Sequence, residues 1–427
     1  MKHALFATTI LAGALGATLA RADVEPIRVG ILHSLSGTMA ISETTLRDVM
    51  LMLIEQQNAR GGVLGRPLEA VVVDPASDWP RFTELSRELI EGRGVAAVFG
   101  CWTSVSRKAV LPVFEELNSI LFYPVQYEGQ ESQRNVFYTG AAPNQQAIPA
   151  VDYLLELEGV ERFYLAGTDY VYPRTTNQIL EAYLLAQGIA PEDIIINYTP
   201  FGHSDWQTIV AEIAAFGSAG KRTAVVSTIN GDANVPFYNE LAAQGISAED
   251  IPVIAFSVGE EELSGIDTGP LVGHLAAWNY FMSVDTPENE EFITAWHDFI
   301  GDDARVTNDP MEAHYIGFNM WVKAVEAAGT TDTDAVIAAM HGVAVPNLTG
   351  GISSMGVNHH ITKPVLIGEI QSDGQFEVVW ETPGLVLGDE WSDHLAESAP
   401  LISNWREPMA CGNFNTETGT CGGSSTN

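Results

Sequence analysis

Hydrophobic positions along the chain alternate between short apolar runs and amphipathic stripes. Ile27–Leu32 is a compact apolar run that predicts a buried strand. Downstream, from Leu46 to Ile54, apolar residues recur at i, i+3, i+4, i+7 and i+8, which predicts an amphipathic helix ending at Gly61 and Gly62. The same rhythm continues, with predicted strands at 68–74, 95–99, 120–123, 162–166, 194–198, 224–229 and 252–256, and predicted helices at about 81–90, 105–117, 145–158, 175–187, 205–215 and 235–244.

Strands that alternate with helices indicate an α/β protein whose parallel sheets carry helices on both faces. A chain of 427 residues that is 46% hydrophobic exceeds one ordinary domain, so we predict two doubly wound parallel-sheet lobes. After residue 278 the pattern changes to helices that can cover the first sheet and then to strands that can extend the second. The chain therefore crosses between the lobes three times, near residues 142, 280 and 350, and these crossings form a hinge. The predicted segments are lobe 1 at 23–142 and 280–350, lobe 2 at 143–279 and 351–390, and a C-terminal tail at 391–427.

Residues 1–22 have the features of a secretory signal peptide: Lys2 near the start, an apolar stretch, and a small-x-small cleavage site at Ala20-Arg21-Ala22. We therefore expect export to the periplasm. Removing this segment takes away Lys2 and Arg21 and no acid, so 18 basic residues face 55 acidic ones and the formal charge changes from −35 to −37. Such acidity disfavours nucleic acid and anionic membranes as partners.

The chain has three cysteines. Cys411 and Cys421 lie in a tail rich in Gly, Asn, Ser and Thr, where an oxidising compartment favours a local disulfide between them. Cys101 is then left unpaired, and its place directly after a predicted strand favours a buried structural thiol over a nucleophile.

Ligands of open α/β sheets bind at the carboxyl ends of strands, so polar and aromatic side chains at those ends are candidate ligand contacts. Ser104 precedes a predicted helix and could donate to a ligand or simply cap the helix. Several aromatic side chains could flank a planar ligand or only pack. Acidic loop residues such as Asp169 and Glu260 could accept N–H groups. The candidate ligand-binding residues are Trp102, Ser104, Tyr123, Gln126, Tyr170, Tyr172, Ser257 and Glu260.

Motifs for catalysis or for cofactors are lacking in the sequence. It contains no G-x-S-x-G elbow, no H-E-x-x-H, no Walker loop and no G-x-G-x-x-G after the first strand. His359 and His360 are adjacent and would point apart on a strand, which disfavours a shared metal ion. We therefore expect no enzyme activity, no cofactor and no metal site.

Several long stretches carry a family resemblance: VGILHSLSGTMAISE (29–43), FGCWTSVSRKAVLPVFEELN (99–118), FYPVQYEGQE (122–131) and TDYVYPRT (168–175). With them the chain resembles the urea-binding subgroup of the periplasmic substrate-binding proteins of ABC transporters, over residues 27–383. Short-chain amide-binding and Leu/Ile/Val-binding proteins are related groups. The resemblance implies a type I "Venus flytrap" fold, a cleft that closes on one small molecule, and delivery to a membrane permease. It also places the eight candidate residues at the pocket.

The resemblance implies urea as the ligand, and the amide-binding group shows a tyrosine where this chain has Trp102. Urea is planar, so it needs in-plane acceptors, donors at its oxygen and flat side chains on both faces. Our hypothesis assigns the urea oxygen to Ser104, the N–H edge to Glu260 or Asp169, and the faces to Trp102 and the tyrosines. The alternatives are a receptor for short-chain amides or branched-chain amino acids, a ligand-sensing regulator, or an amidohydrolase.

Overall fold

The structure, a computed structural model, describes residues 25–395, 414–415 and 420–421. Its strands are β1 (Ile27–Leu32), β2 (Leu68–Val73), β3 (Ala97–Gly100), β4 (Leu121–Tyr123), β5 (Val136–Tyr138), β6 (Arg162–Thr168), β7 (Ile194–Thr199), β8 (Thr223–Thr228), β9 (Val253–Ala255), β10 (Leu275–Trp278), β11 (Ala344–Pro346), β12 (Ile352–Ser354), β13 (Thr362–Lys363), β14 (Leu366–Ile370), β15 (Phe376–Glu381), β16 (Val386–Leu387), β17 (Phe414–Asn415) and β18 (Thr420–Cys421). Its helices are α1 (Ala40–Ala59), α2 (Trp79–Arg87), α3 (Ser104–Glu116), α4 (Ala147–Glu156), α5 (Val171–Ala186), α6 (Gln207–Gly217), α7 (Asn234–Ala243), α8 (Glu260–Leu263), α9 (Pro287–Ile300), α10 (Asp309–Ala328) and α11 (Thr333–Met340).

The first lobe is built on a five-stranded parallel sheet in the order β2-β1-β3-β4-β5. Strand β1 is buried on both faces except at Arg28, as its continuous apolar sequence predicts. Late helices supply Phe292, Trp321 and Ile337 to the same hydrophobic core, so α9, α10 and α11 cover the first sheet as predicted. The aromatic rings of Phe99 and Phe122 stack at its centre with centroids 4.6 Å apart.

The second lobe is built on a seven-stranded sheet in the order β15-β14-β10-β9-β8-β6-β7. Strands β14 and β15 are antiparallel and extend the sheet at one edge, as predicted for the late strands. They join it through β10, a strand that we did not predict, which lies between β14 and β9. The α/β fold with two parallel-sheet lobes is therefore confirmed.

The third crossing between the lobes lies later in the chain than the predicted position near residue 350. Met355 and Ile361 still pack in the hydrophobic core of the first lobe, and Leu366 is the first residue of β14 in the second sheet. The crossing is therefore at residues 362–365. The short hairpin of β11 and β12, which precedes it, belongs to the first lobe through Val345.

Asn279 connects all three crossings. Its side-chain amide donates to the carbonyl oxygens of Gln145, at the first crossing, and of Pro364, at the third, over 2.9 and 2.7 Å. Its backbone N–H donates to Asp309 Oδ2 over 2.9 Å. The same carboxylate pairs with the buried Lys363 Nζ at 3.3 Å. One fully buried polar cluster therefore holds the hinge.

Replacing Asn279 by alanine should lower the free energy of unfolding by about 2–3 kcal/mol, because two buried carbonyl groups lose their donor. Guanidinium chloride denaturation of the purified protein measures this. Asn319→Ala is the matched control, since the Asn319 amide makes one local bond to Tyr315 O within α10, and we expect it to cost less than about 1 kcal/mol. Equal losses in the two variants would contradict the role of Asn279.

Two predictions fall on parts of the chain that the structure does not describe. The signal peptide at 1–22 lies there, as does most of the tail, so the pairing of Cys411 with Cys421 stays a prediction. Cys101 is fully buried and is a free thiol. Within the described ranges, no helix combines the length and the apolar character that a membrane crossing requires.

Candidate functional site

The carboxyl ends of strands from both sheets meet at the interface between the lobes. Trp102 follows β3, and its indole N–H donates across the interface to Asn230 Oδ1 over 3.4 Å. Gln126 follows β4, and its amide donates to Ser257 Oγ of the second lobe over 2.6 Å. Direct side-chain contacts of this kind show that the lobes are closed on each other.

All eight candidate residues are buried, each with at most 3% of its surface exposed. Val105 of the first lobe packs against Tyr170 and Tyr172 of the second, and these tyrosines stand at the start of α5. Tyr123 ends β4 on the opposite side of the interface. The structure thus brings together seven of the candidates, namely Trp102, Ser104, Tyr123, Gln126, Tyr170, Tyr172 and Ser257.

Glu260 is placed differently from the other candidates. Its carboxylate accepts the backbone N–H of Met282 over 2.6 Å, and no described hydrogen bond joins it to the other seven residues. Burial raises the pKa of Glu260 to about 8. Asp169, the other acid in our hypothesis, pairs with Arg174 at 2.5 Å on the surface side of the loop.

A buried layer of four charged residues lies directly behind Ser104. Arg107 pairs with Glu128 at 3.3 Å and with Glu131 at 2.9 Å, and Lys108 pairs with Glu131. Burial alone would raise the pKa of Glu131, but the charges of Arg107 and Lys108 lower it to about 2. Two cations and two anions therefore leave this layer with no net charge.

Aromatic rings surround the guanidinium group of Arg107. Its Cζ lies 4.4 Å from the ring centroid of Tyr123, 4.6 Å from that of Tyr127 and 5.8 Å from that of Tyr138. Such cation–π contacts are strongest where water is excluded, and Arg107 is fully buried. With both carboxylates and the rings around it, Arg107 has no charge left to offer an anionic ligand.

The hydroxyl of Ser104 is already engaged in this layer. It donates to Glu128 Oε2 over 2.5 Å and accepts from Arg107 Nη1 over 3.3 Å. Its hydrogen is therefore not available to the oxygen of a ligand, in contrast to the role that we expected for it. Ser104 instead fixes the position of the Glu128 carboxylate.

Three buried polar atoms at the interface make no hydrogen bond of normal geometry to the described residues, although Tyr123 lies close to Ser104 and Tyr172 lies close to Ser257 and Gln126. They are the hydroxyls of Tyr123 and Tyr172 and the Oε1 atom of Gln126. A buried polar group without a partner costs about 1–3 kcal/mol, so three of them together favour a polar molecule bound at this place. Burial raises the pKa of both tyrosines, so their hydroxyls stay protonated and can donate.

The sequence pattern did not identify Arg107, Glu128 or Asn230 as parts of the site. The spacing holds no signal for Glu128, because every residue from 121 to 131 is buried and burial does not alternate along this segment. Arg107 is one helical turn after Ser104, so it lies on the same face of α3.

A second interlobe contact lies near the start of α1. Ser42 Oγ of the first lobe donates to Glu262 Oε1 of the second over 2.6 Å, and the backbone N–H of Gly259 donates to Glu262 Oε2 over 2.9 Å. Burial raises the pKa of Glu262 to about 7, with Glu261 as the nearest like charge. Opening the lobes would break the hydrogen bond from Ser42 and admit water to the Glu262 carboxylate.

Ligand affinity should therefore fall as the pH rises. In this closed form burial raises the pKa of Glu262 to about 7. We expect opening to lower this pKa part of the way toward the ordinary 4.5 as water enters, so closure takes up a proton in this range and loses that advantage as the pH passes 7. We expect binding about tenfold weaker at pH 8 than at pH 5. Isothermal titration calorimetry across this range measures it.

Glu262→Gln is the control for this pH dependence, because glutamine can accept from Ser42 but does not titrate. Its affinity should change little between pH 5 and 8. The charged groups that also face this region are Glu260, Glu261, Asp48 and Arg305. A variant with the same pH profile as the original protein would show that one of those groups, and not Glu262, controls the effect.

Comparison with known proteins identifies relatives over most of the chain. A model of the periplasmic binding protein domain matches residues 27–397. Leu/Ile/Val-binding protein homolog 6 of Brucella melitensis biotype 1 is 24% identical over 371 residues, 85% of this chain and 92% of that protein. A 110-residue stretch is 32% identical to a Geobacillus stearothermophilus protein named limonene hydroxylase, but it spans 26% of this chain and only 20% of that protein.

Solved structures show the same architecture. A solute-binding protein of an ABC transporter from Rhodopseudomonas palustris HaA2, solved in complex with p-hydroxybenzoic acid, superposes with a TM-score of 0.75. The match covers 87% of this chain and all of that one at 21% sequence identity. At this level of identity the likeness establishes the fold and leaves the ligand to the residues of the site.

Proposed function

Because the chain belongs to the periplasmic binding protein family, we propose that it is the solute-binding component of an ABC uptake transporter, that it closes on one molecule of urea, and that it delivers this urea to a membrane permease. Proteins of this class bind solutes without converting them. The proposal includes export to the periplasm, where a binding protein meets its solute.

The observation that supports this ligand is the set of three interface atoms without a well-formed hydrogen bond. They offer two phenol hydroxyls and one amide oxygen within a site whose four charged residues cancel one another. A small uncharged molecule with both donors and acceptors can complete these bonds without bringing a charge into the interior. Urea has that character, and its flat faces suit a site lined by Trp102 and tyrosines.

Branched-chain amino acids are the second candidate, because a relative that aligns over most of its length is named for leucine, isoleucine and valine. An amino acid brings both a carboxylate and an ammonium group, and each needs a buried counter-charge. Arg107 already faces two carboxylates, and the residue of the second lobe that faces Trp102 is the neutral Asn230. These contacts favour an uncharged ligand.

The size of urea limits its affinity. The upper bound for very small ligands is roughly 1.5 kcal/mol per heavy atom, so four heavy atoms give about 6 kcal/mol and a Kd of tens of micromolar. A Kd near this bound would require that the closed site exist with little rearrangement.

Calorimetric titration of the purified protein with urea, formamide, acetamide, leucine and 4-hydroxybenzoate tests the proposal. We expect urea to bind most tightly. Leucine and 4-hydroxybenzoate, which carry carboxylates, should not bind at millimolar concentration. Leucine binding more tightly than urea would replace this proposal with the amino-acid alternative. Fractionation of cells that express the full chain should place it in the periplasmic extract.

A further inference from the structure

We propose that Glu128 accepts the N–H groups of the ligand and thereby restricts this site to molecules that carry N–H donors and no negative charge. The inference rests on the function proposed above and assigns the selectivity to one residue, which the sequence pattern did not single out.

The carboxylate of Glu128 has acceptor positions left over. Its Oε2 accepts one bond from Ser104 and its Oε1 accepts one from Arg107 Nη2 over 3.3 Å. An ionised carboxylate has about four acceptor positions, so one on each oxygen remains. Glu128 is only 1% exposed, so bulk solvent does not reach these positions in the closed form.

Glu128 faces the interface between the lobes, whereas Glu131 lies behind it. The charge of Glu128 acts on the hydroxyls of Tyr123, Tyr170 and Tyr172, which line the interface from both lobes, and raises the pKa of each in addition to burial. Glu131 instead receives Lys108, Arg107 and the hydroxyl of Tyr138, and those contacts use both of its oxygens.

The position of Glu128 also excludes anions. Its carboxylate touches Ser104, the first residue of α3, where the helix N-terminus would otherwise attract the carboxylate of an amino acid or an aromatic acid. A second carboxylate at that place would meet Glu128 at close range. The site therefore differs in charge from one built for a free acid.

Two acceptor positions on one carboxylate match a ligand with two parallel N–H groups, as in the paired bonds of arginine with carboxylates. Urea presents such a pair on the side opposite to its oxygen, one from each nitrogen. Acetamide has the same size and shape but replaces one nitrogen by a methyl group, and acetate replaces the other by a negatively charged oxygen. These three planar molecules of four heavy atoms form a graded set of probes.

Titration of the full protein with urea, acetamide and acetate tests the assignment without any substitution. We expect acetamide to bind at least about tenfold more weakly than urea, because it loses one bond to a charged acceptor, and acetate not to bind. Acetate affinity within threefold of that of urea would overturn the role of Glu128, whether or not any variant folds.

Glu128→Gln then tests the residue itself, with Glu131→Gln as the matched control that also removes one negative charge beside Arg107. Thermal unfolding of both variants checks their folding. We expect E128Q to weaken urea binding at least tenfold and to bring urea and acetamide within about threefold of each other, while E131Q keeps their ratio. A folded E128Q with an unchanged ratio would overturn this inference and leave urea binding intact. Failure of the unsubstituted protein to bind urea would instead overturn the proposed function.

Discussion

Replacing Arg107 by methionine should lower the free energy of unfolding by about 3–5 kcal/mol, the largest stability effect that we expect from one substitution in this protein. The guanidinium group is fully buried and is the only described partner that Glu128 and Glu131 share. Methionine fills a similar volume but removes one of the two cations that offset these buried carboxylates, and only the pair of Lys108 with Glu131 is left among the four described charges. Guanidinium chloride denaturation at pH 7 measures the difference.

Arg87→Met provides the contrast for this prediction. Arg87 forms ion pairs with Glu91 and Glu116, but all three side chains are more than one third exposed. Surface pairs contribute little, so this variant should lose less than about 1 kcal/mol. If R107M were as stable as R87M, the four charged residues behind Ser104 would not be needed for folding.

Trp102→Ala should weaken urea binding about thirtyfold. In the proposed site the ring offers a flat face to the ligand, and its indole N–H donates to Asn230 of the second lobe, so the substitution should remove a stacking contact and an interlobe hydrogen bond. Together these contribute about 2 kcal/mol. Calorimetric titration with urea measures the affinity, and thermal unfolding without ligand shows that the variant is folded.

Two further variants separate the ring of Trp102 from its N–H group. Trp102→Phe keeps an aromatic face but cannot reach Asn230, so its affinity should lie between those of the original protein and W102A. Trp206→Phe changes another buried tryptophan, whose indole N–H donates to His203 O inside the second lobe, and should leave urea affinity unchanged. Unchanged affinity in W102A would show that the ring only packs.

The sequence pattern predicted the longer elements well, because their hydrophobic spacing is set by burial against a single core. Strand β1 has the bounds that the pattern indicated, and helix α5 covers most of the predicted 175–187. Strands β5 and β10 were missed, since three or four residues are too few to show a period, and the alanines of Leu275–Trp278 have no strand preference. The third crossing was misplaced because Met355 and Ile361 pack in the core of the first lobe, and no periodic pattern in the sequence indicates this packing.

The candidate site was harder to predict from sequence than the fold. The rule that ligands bind at the carboxyl ends of parallel strands identified the candidates Trp102, Tyr123 and Tyr172. The charged layer could not be found in this way, since Arg107 and Glu128 belong to residue types that are ordinarily exposed, and only the folded chain shows that they neutralise each other. The ion pairs of Glu128 and Glu131 decide which of these two acids is left to face the proposed ligand.

The shared anchor at Asn279 has a mechanical consequence. Because one side chain holds the strands of the hinge to each other, no single connection can bend while the other two stay in place. We therefore expect the lobes to rotate as two stiff bodies between an open shape and the closed shape described above. A permease that recognises this shape would then distinguish an occupied from an empty receptor, even for a ligand as small as the proposed urea.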